Sequence, residues 1–302
     1  MIRSALPFAA FLALSPLLGG VVTRVKALFA GRTGPPLVQP YLDLRRLLGK
    51  GAVYSRTTTW IFKAGPVIGL AAVVSAGLLM SFGGAPALVS FPGDFVLFAY
   101  LLGLARFVTA LAALDTGSSF EGMGAARELT FASLAEPALF LGLLVLARAT
   151  GSLSLSGMLG DRLAGEWAGG GPALLLASAA LLVVALAENA RIPVDDPTTH
   201  LELTMIHEVM VLDHSGPDLA AIDYGASLKL FLFGALVVRL AVGFPAASPW
   251  RSLGVFLAGM LAFGVALGTV ESTLARLRMT RVPQLLVGAG VLAVFALVLL
   301  LR

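Results

Sequence analysis

The stretch Leu285-Leu-Val-Gly-Ala-Gly-Val-Leu-Ala-Val-Phe-Ala-Leu-Val-Leu-Leu-Leu301 carries no charged side chain. Its length is near that needed to cross a bilayer, roughly 20 residues at 1.5 Å each. Seven further blocks read the same way: 2–22, 65–82, 95–114, 131–150, 172–187, 226–244 and 253–270. The first has no clear small-residue cleavage site after it, so it is read as a helix rather than a signal peptide. Of the 302 residues, 58% are apolar and 13% charged, with a mean hydropathy of +0.93. A soluble domain has about 45–50% and about 25%. The chain is therefore expected to be an all-α polytopic membrane protein of about eight transmembrane helices, with residues 1–302 forming a single integral membrane domain.

There is no cysteine. That excludes disulfides, thiolate zinc sites and Fe–S ligation by this chain, so any redox centre belongs to another subunit. The net charge is +4, but eight of the 21 Lys and Arg lie between Arg24 and Lys63, which reads as a membrane-surface or topology signal. The connections after the first, third, fifth and seventh blocks hold eight, one, one and three Lys or Arg; those after the second, fourth and sixth hold none, one and one. By the positive-inside rule the odd connections face the cytoplasm and both termini face out. No internal repeat or matched pair of broken helices is visible, which argues against many secondary transporters.

Ionisable residues within or at the edge of the apolar blocks include Arg106, Glu136, Glu188, Lys229 and Glu271. A charge at mid-membrane costs about 2.5–3.5 kcal/mol on insertion scales, so such residues turn inward. Arg106 with Glu136 reads either as an interhelical ion pair that fixes packing or as part of a proton relay; Lys229 reads as a snorkelling side chain. The loop Asp115–Glu128 adds Arg127 and Glu128, with small residues that admit close backbone approach. Residues 188–223 concentrate carboxylates and all three histidines. Pro193 and Pro197 break the helix there, Asp196 is placed to cap a second helix, and that helix runs to about Leu212. At about 16 residues it is too short to span, and is expected to be an acidic re-entrant or interfacial helix on the cytoplasmic side. His200, His207 and His214 recur every seven residues but lack tight ligand spacing, so no metal site is assigned. The basic first connection reads either as an amphipathic helix on anionic lipid or as a docking surface for a cytoplasmic partner.

Four motifs then carry a resemblance. They are Arg32-x-Gly-Pro with Gln39 and Asp43, Gly117-Ser-Ser-Phe-x-Gly-x-Gly-x-x-Arg127-Glu128 with Glu136-Pro137, Glu188-x-x-Arg191-x-Pro-x-Asp195 with Glu202-Leu203, and Glu271-x-x-x-Ala-Arg276-x-Arg278. In this order they resemble the respiratory complex I subunit 1 family, and within it the hydrogenase-4 and formate hydrogenlyase branch. The resemblance implies a membrane subunit at the junction between a peripheral redox arm and antiporter-like membrane subunits. The arm would hold Fe–S clusters and, in this branch, NiFe. It makes Glu128, Glu136, Glu188, Asp195 and Glu202 proton-path carboxylates. It makes Arg32, Gln39, Asp43, Arg127, Arg191, Arg276 and Arg278 lining of the junction with the arm. Quinone-reactive relatives carry Glu-Arg-Lys where this chain has Thr23-Arg24-Val25-Lys26, and a Glu where it has His200. These departures fit a branch that works without quinone. The expected function is non-catalytic energy coupling within an oxidoreductase complex of the plasma (inner) membrane, with no nucleic acid involved. The rival readings are a wall of a quinone chamber, an independent ion permease and a purely structural anchor.

Overall fold

The computed structural model describes residues 2–195, 205–242 and 248–301. Among them, eight helices are long and apolar enough to cross a membrane. They are α1 (Ile2–Phe29), α3 (Trp60–Leu78), α4 (Asp94–Asp115), α5 (Ser119–Thr150), α7 (Arg162–Glu188), α8 (Gly216–Ala241), α9 (Pro249–Thr273) and α10 (Val282–Leu300). Two short helices, α2 (Gln39–Leu48) and α6 (Leu155–Met158), lie in the connections. The eight expected spans are all present, but several are longer than their apolar cores. Helix α5 begins at Ser119, so the expected loop around Arg127 and Glu128 is helical. The Gly-rich stretch Ala168–Pro172, read as a connection, lies inside α7 as a kink with non-helical Gly170. Around Arg127 and Glu128 packing overrides propensity, whereas at Gly170 the glycine run still interrupts the helix.

Helix α8 is the hub. It packs against α1, α2, α3, α7 and α9, while α5, α7 and α10 form one group, α3 pairs with α4, and α1 pairs with α9. An aromatic cluster of Phe11, Phe82, Phe231 and Phe256 locks α1, α8 and α9, with Phe11 stacked on Phe82 at 5.0 Å between ring centroids. Pro16 removes the N–H that would bond the Leu12 carbonyl within α1. The Tyr224 hydroxyl of α8 donates to that freed carbonyl at 2.9 Å, and Tyr41 of α2 donates to the next one, Ala13, at 2.5 Å. The backbone one turn before a proline in one helix thus becomes the docking point for two others.

The connections 30–59, 116–118, 189–195, 205–215 and 274–281 gather at one end of the bundle, here called the basic end. Asp115 closes α4 and accepts from the Thr59 and Phe62 amides, capping α3 with a carboxylate. Gly216 (φ +56°) lies so close to Gly51 that an added Cβ would stand 2.7 Å from the Gly51 carbonyl oxygen. Pro217 occupies the first turn of α8, so the Gly-Pro pair that ends the preceding segment also starts the next helix. Of the expected helix ending near Leu212, residues 196–204 lie outside the described residues. The remainder of that stretch is not α-helical: Met205–His207 are irregular, and Glu208–Val211 form a single 3₁₀ turn. That turn sits on α5 at Gly124, where a Cβ would come within 2.3 Å of Val209.

Glycines also set the contact between α1 and α9. A Cβ at Gly268 would lie 2.7 Å from the Val25 Cβ and 3.0 Å from the Val22 carbonyl oxygen. Gly268→Val should push α9 off α1 and cost about 1–3 kcal/mol. The check is a lower melting temperature of the detergent-solubilised protein, with partial recovery when Val25→Ala is added.

Candidate functional site: a buried charge cluster

Arg106, nine residues before the end of α4, lies about 14 Å inside the helix end and is 7% exposed. Its guanidinium donates from Nη1 to Glu136 Oε1 at 2.8 Å and from Nη2 to Glu188 Oε1, and its Nε stands 3.4 Å from Glu128 Oε1. One cation thus collects carboxylates from α5 and α7. Glu128 and Glu136 reach it together because eight residues are a little over two turns of α5. Lys229 of α8 adds a second cation, its Nζ 3.7 Å from Glu188 Oε2. The snorkelling expected of Lys229 is therefore wrong. The side chain is 10% exposed, and Glu188 draws it inward because an ion pair offsets the burial of both charges. The cluster holds three carboxylates and two cations. Glu188 and Glu128 are covered, whereas the Glu136 side chain keeps 45% exposure.

Asp195 does not join Arg106. Its Oδ1 pairs with Arg276 at 2.8 Å, and its Oδ2 accepts from the Ile206 and His207 amides at 3.2 Å. It still meets the cluster across a cavity of about 20 Å³ bounded by Arg106, Glu128, Glu188, Asp195 and Ile206. That volume suits one water, which needs roughly 10–15 Å³ and several polar partners. Glu202 and His200 lie outside the described residues.

On its other side Glu188 faces a vestibule of about 310 Å³ between α1, α2, α7 and α8. Asp43, Asn189, Arg191, His207, Asp223 and Lys229 line it. Burial and the nearby Lys229 charge push the His207 imidazole down to about 4 from 6.5. Among the described residues no group of three or more His, Cys, Asp or Glu could hold a metal ion.

The expected junction residues are at the basic end, but the structure gives them separate partners. Arg191 and Lys26 both pair with buried Glu271, at 3.2 and 2.9 Å. Arg127 donates to the Met205 carbonyl at 2.9 Å, and Gln39 donates to Asp43 at 3.1 Å. Arg32 and Arg278 are exposed. Sequence reasoning linked Arg106 to Glu136 but flagged Lys229 and Glu271 only as intramembrane charges; nothing in the spacing points to Asp223 or His207 as lining of a shared vestibule.

A family profile described as NADH dehydrogenase matches residues 3–301. The chain belongs to this family. Among curated members it is 30% identical to formate hydrogenlyase subunit 4 of Escherichia coli over 287 residues, covering 90% of each chain. It is 33% identical to hydrogenase-4 component C of the same organism over 274 residues, covering 88% of this chain and 84% of the relative. A solved structure of the membrane-bound sulfane sulfur reductase, an archaeal respiratory membrane complex, contains a chain that superposes with a TM-score of 0.79. It covers 98% of both chains at 21% identity, which speaks for the fold. The chain is a membrane subunit of the complex I subunit 1 type, related to those of hydrogenase-4 and formate hydrogenlyase.

Two outcomes are expected for this family member. Arg106→Ala strands three carboxylates in the bundle and should cost about 3–5 kcal/mol, read as loss of thermal stability or of assembled protein in the membrane. For His207 the folded state holds fewer protons than the unfolded state between pH 6.5 and 4, so its contribution to stability is full above 6.5 and is lost as pH falls toward 4. Melting curves across that range should fall less steeply for His207→Gln than for the wild type.

Proposed function

We propose that this chain anchors a peripheral electron-transfer arm in the membrane and couples redox events there to movement of protons or cations. Within its complex the chain is non-catalytic. The observation that carries this reading is Arg106 shared by Glu128, Glu136 and Glu188, set between a polar vestibule and the half-exposed edge of Glu136. Three carboxylates against two cations leave one negative charge in surroundings that solvate it poorly, and one proton held among the carboxylates balances it. Because the guanidinium touches all three, the proton changes carboxylate with little rearrangement. A shift of Lys229 or Asp195 would alter which carboxylate holds it, giving the arm a way to bias the proton's position.

In this reading the basic end faces the cytoplasm, where Arg32, Gln39, Asp43, Arg127, Arg191, Arg276 and Arg278 meet the arm, and both termini face out. Fe–S clusters, and NiFe where the arm is hydrogenase-like, belong to those partner subunits. Antiporter-like membrane subunits adjoin the bundle, and the assembly sits in the plasma (inner) membrane. Glu202, outside the described residues, is assigned to the path by its motif alone.

The test uses the intact complex in liposomes, with turnover driven by a reduced viologen dye and internal pH followed by an entrapped indicator. Glu136→Gln and Glu188→Gln should leave electron transfer running while proton movement per turnover falls by about 100-fold, the scale of a lost acid–base group. Unchanged proton movement in both would leave the chain a structural anchor.

A further inference from the structure

Seven polar side chains besides Glu188 line the vestibule, and most are committed elsewhere. Arg191 is paired with Glu271 and Lys229 with Glu188. Asp43 accepts from Gln39 and pairs with Arg46; the Asn189 amide donates to Ala185, and the Ser227 hydroxyl to the Asp223 carbonyl. Asp223 is exposed. His207 is the imidazole among them, able to accept a proton at one ring nitrogen while donating from the other. Together with Lys229 it lines both the vestibule and a second cavity of about 60 Å³ between α3, α4 and α8, a slot that Arg106 also lines. His207 therefore stands with Lys229 between the two spaces. Its backbone is also held on both sides: the His207 amide donates to Asp195 Oδ2, and its carbonyl accepts from the Met210 amide at 3.1 Å.

We propose that His207 is the proton-exchanging side chain of the vestibule, carrying protons between the aqueous mouth and the Glu188 carboxylate, with Asp195 as its positioning residue. This rests on the coupling reading above. In the transfer one ring nitrogen accepts a proton from the mouth, while the other nitrogen releases its own to Glu188. The ring ends neutral in the opposite tautomer, and a ring flip or the reverse transfer resets it. The groups facing it are Lys229 and Asp223 from α8, Arg106 from α4, Glu188 from α7, Asp43 from α2, and Arg191 and Asp195 from the following connection. Burial and Lys229 keep the ring neutral at rest, so it passes protons without storing them. Asp195 ties this device to the α9–α10 connection through Arg276, so a displacement of that connection would move the imidazole relative to Glu188.

The experiment compares wild type, His207→Gln and Glu188→Gln in the same liposome-reconstituted complex at pH 7, with and without imidazole in the buffer. For His207→Gln, proton movement per turnover should fall by about 100-fold and recover substantially when imidazole is added, because the vestibule admits it. Glu188→Gln should lose coupling without recovery. If His207→Gln couples like wild type while Glu188→Gln does not, the role of His207 is overturned and the coupling reading stands. Loss in His207→Gln that imidazole does not mend marks a structural residue and also overturns the proposal. Normal coupling in both variants overturns the coupling reading and this inference together.

Discussion

A guanidinium buried in an apolar bundle has no water to solvate it, so protein must supply the compensating charge. Arg106 meets this demand with carboxylates from α5 and α7, one of which brings Lys229 of α8 with it. Four spanning helices are thereby held in one rotational setting, since turning any of them would pull a charge out of the cluster. The same demand makes the cluster responsive. A site with more carboxylates than cations carries excess negative charge, which the proposed relay would offset with a proton.

Around this centre the basic end is built as a set of separate clamps. Glu271 holds α1 and the 189–195 connection through Lys26 and Arg191. Asp195 joins that connection to Arg276 and to the His207 backbone. At the opposite end Asp94 accepts from the Phe91 and Leu155 amides, fixing the start of α4 against α6. The clamps at the basic end meet at the segment that lines the vestibule, so a force applied to the connections there reaches the buried charges through only a few bonds.

Close packing makes these arrangements possible. Gly124 lets the 3₁₀ turn lie on α5, Gly268 seats α9 on α1, and Pro16, which has no N–H, leaves the Leu12 carbonyl to Tyr224. In a bilayer the apolar effect does little to hold helices together, so close contact and buried polar bonds between helices carry much of the specificity.

The sequence alone determined that the chain crosses the membrane eight times, because an apolar run of bilayer length has few other stable destinations. Its motifs pointed to the family, and the rarity of intramembrane charge singled out Arg106, Glu136 and Glu188. Sequence reasoning placed Glu128 in a loop and let Lys229 snorkel, since neither helix length beyond the apolar core nor the partner of a buried lysine is encoded locally. That Arg106 serves three carboxylates at once, that Asp195 turns to Arg276 instead, and that His207 stands between two cavities were decided only by the tertiary structure. Residues separated by tens of positions become neighbours through the rotation and tilt of packed helices. Those angles arise from every contact in the bundle together, not from any one stretch of chain.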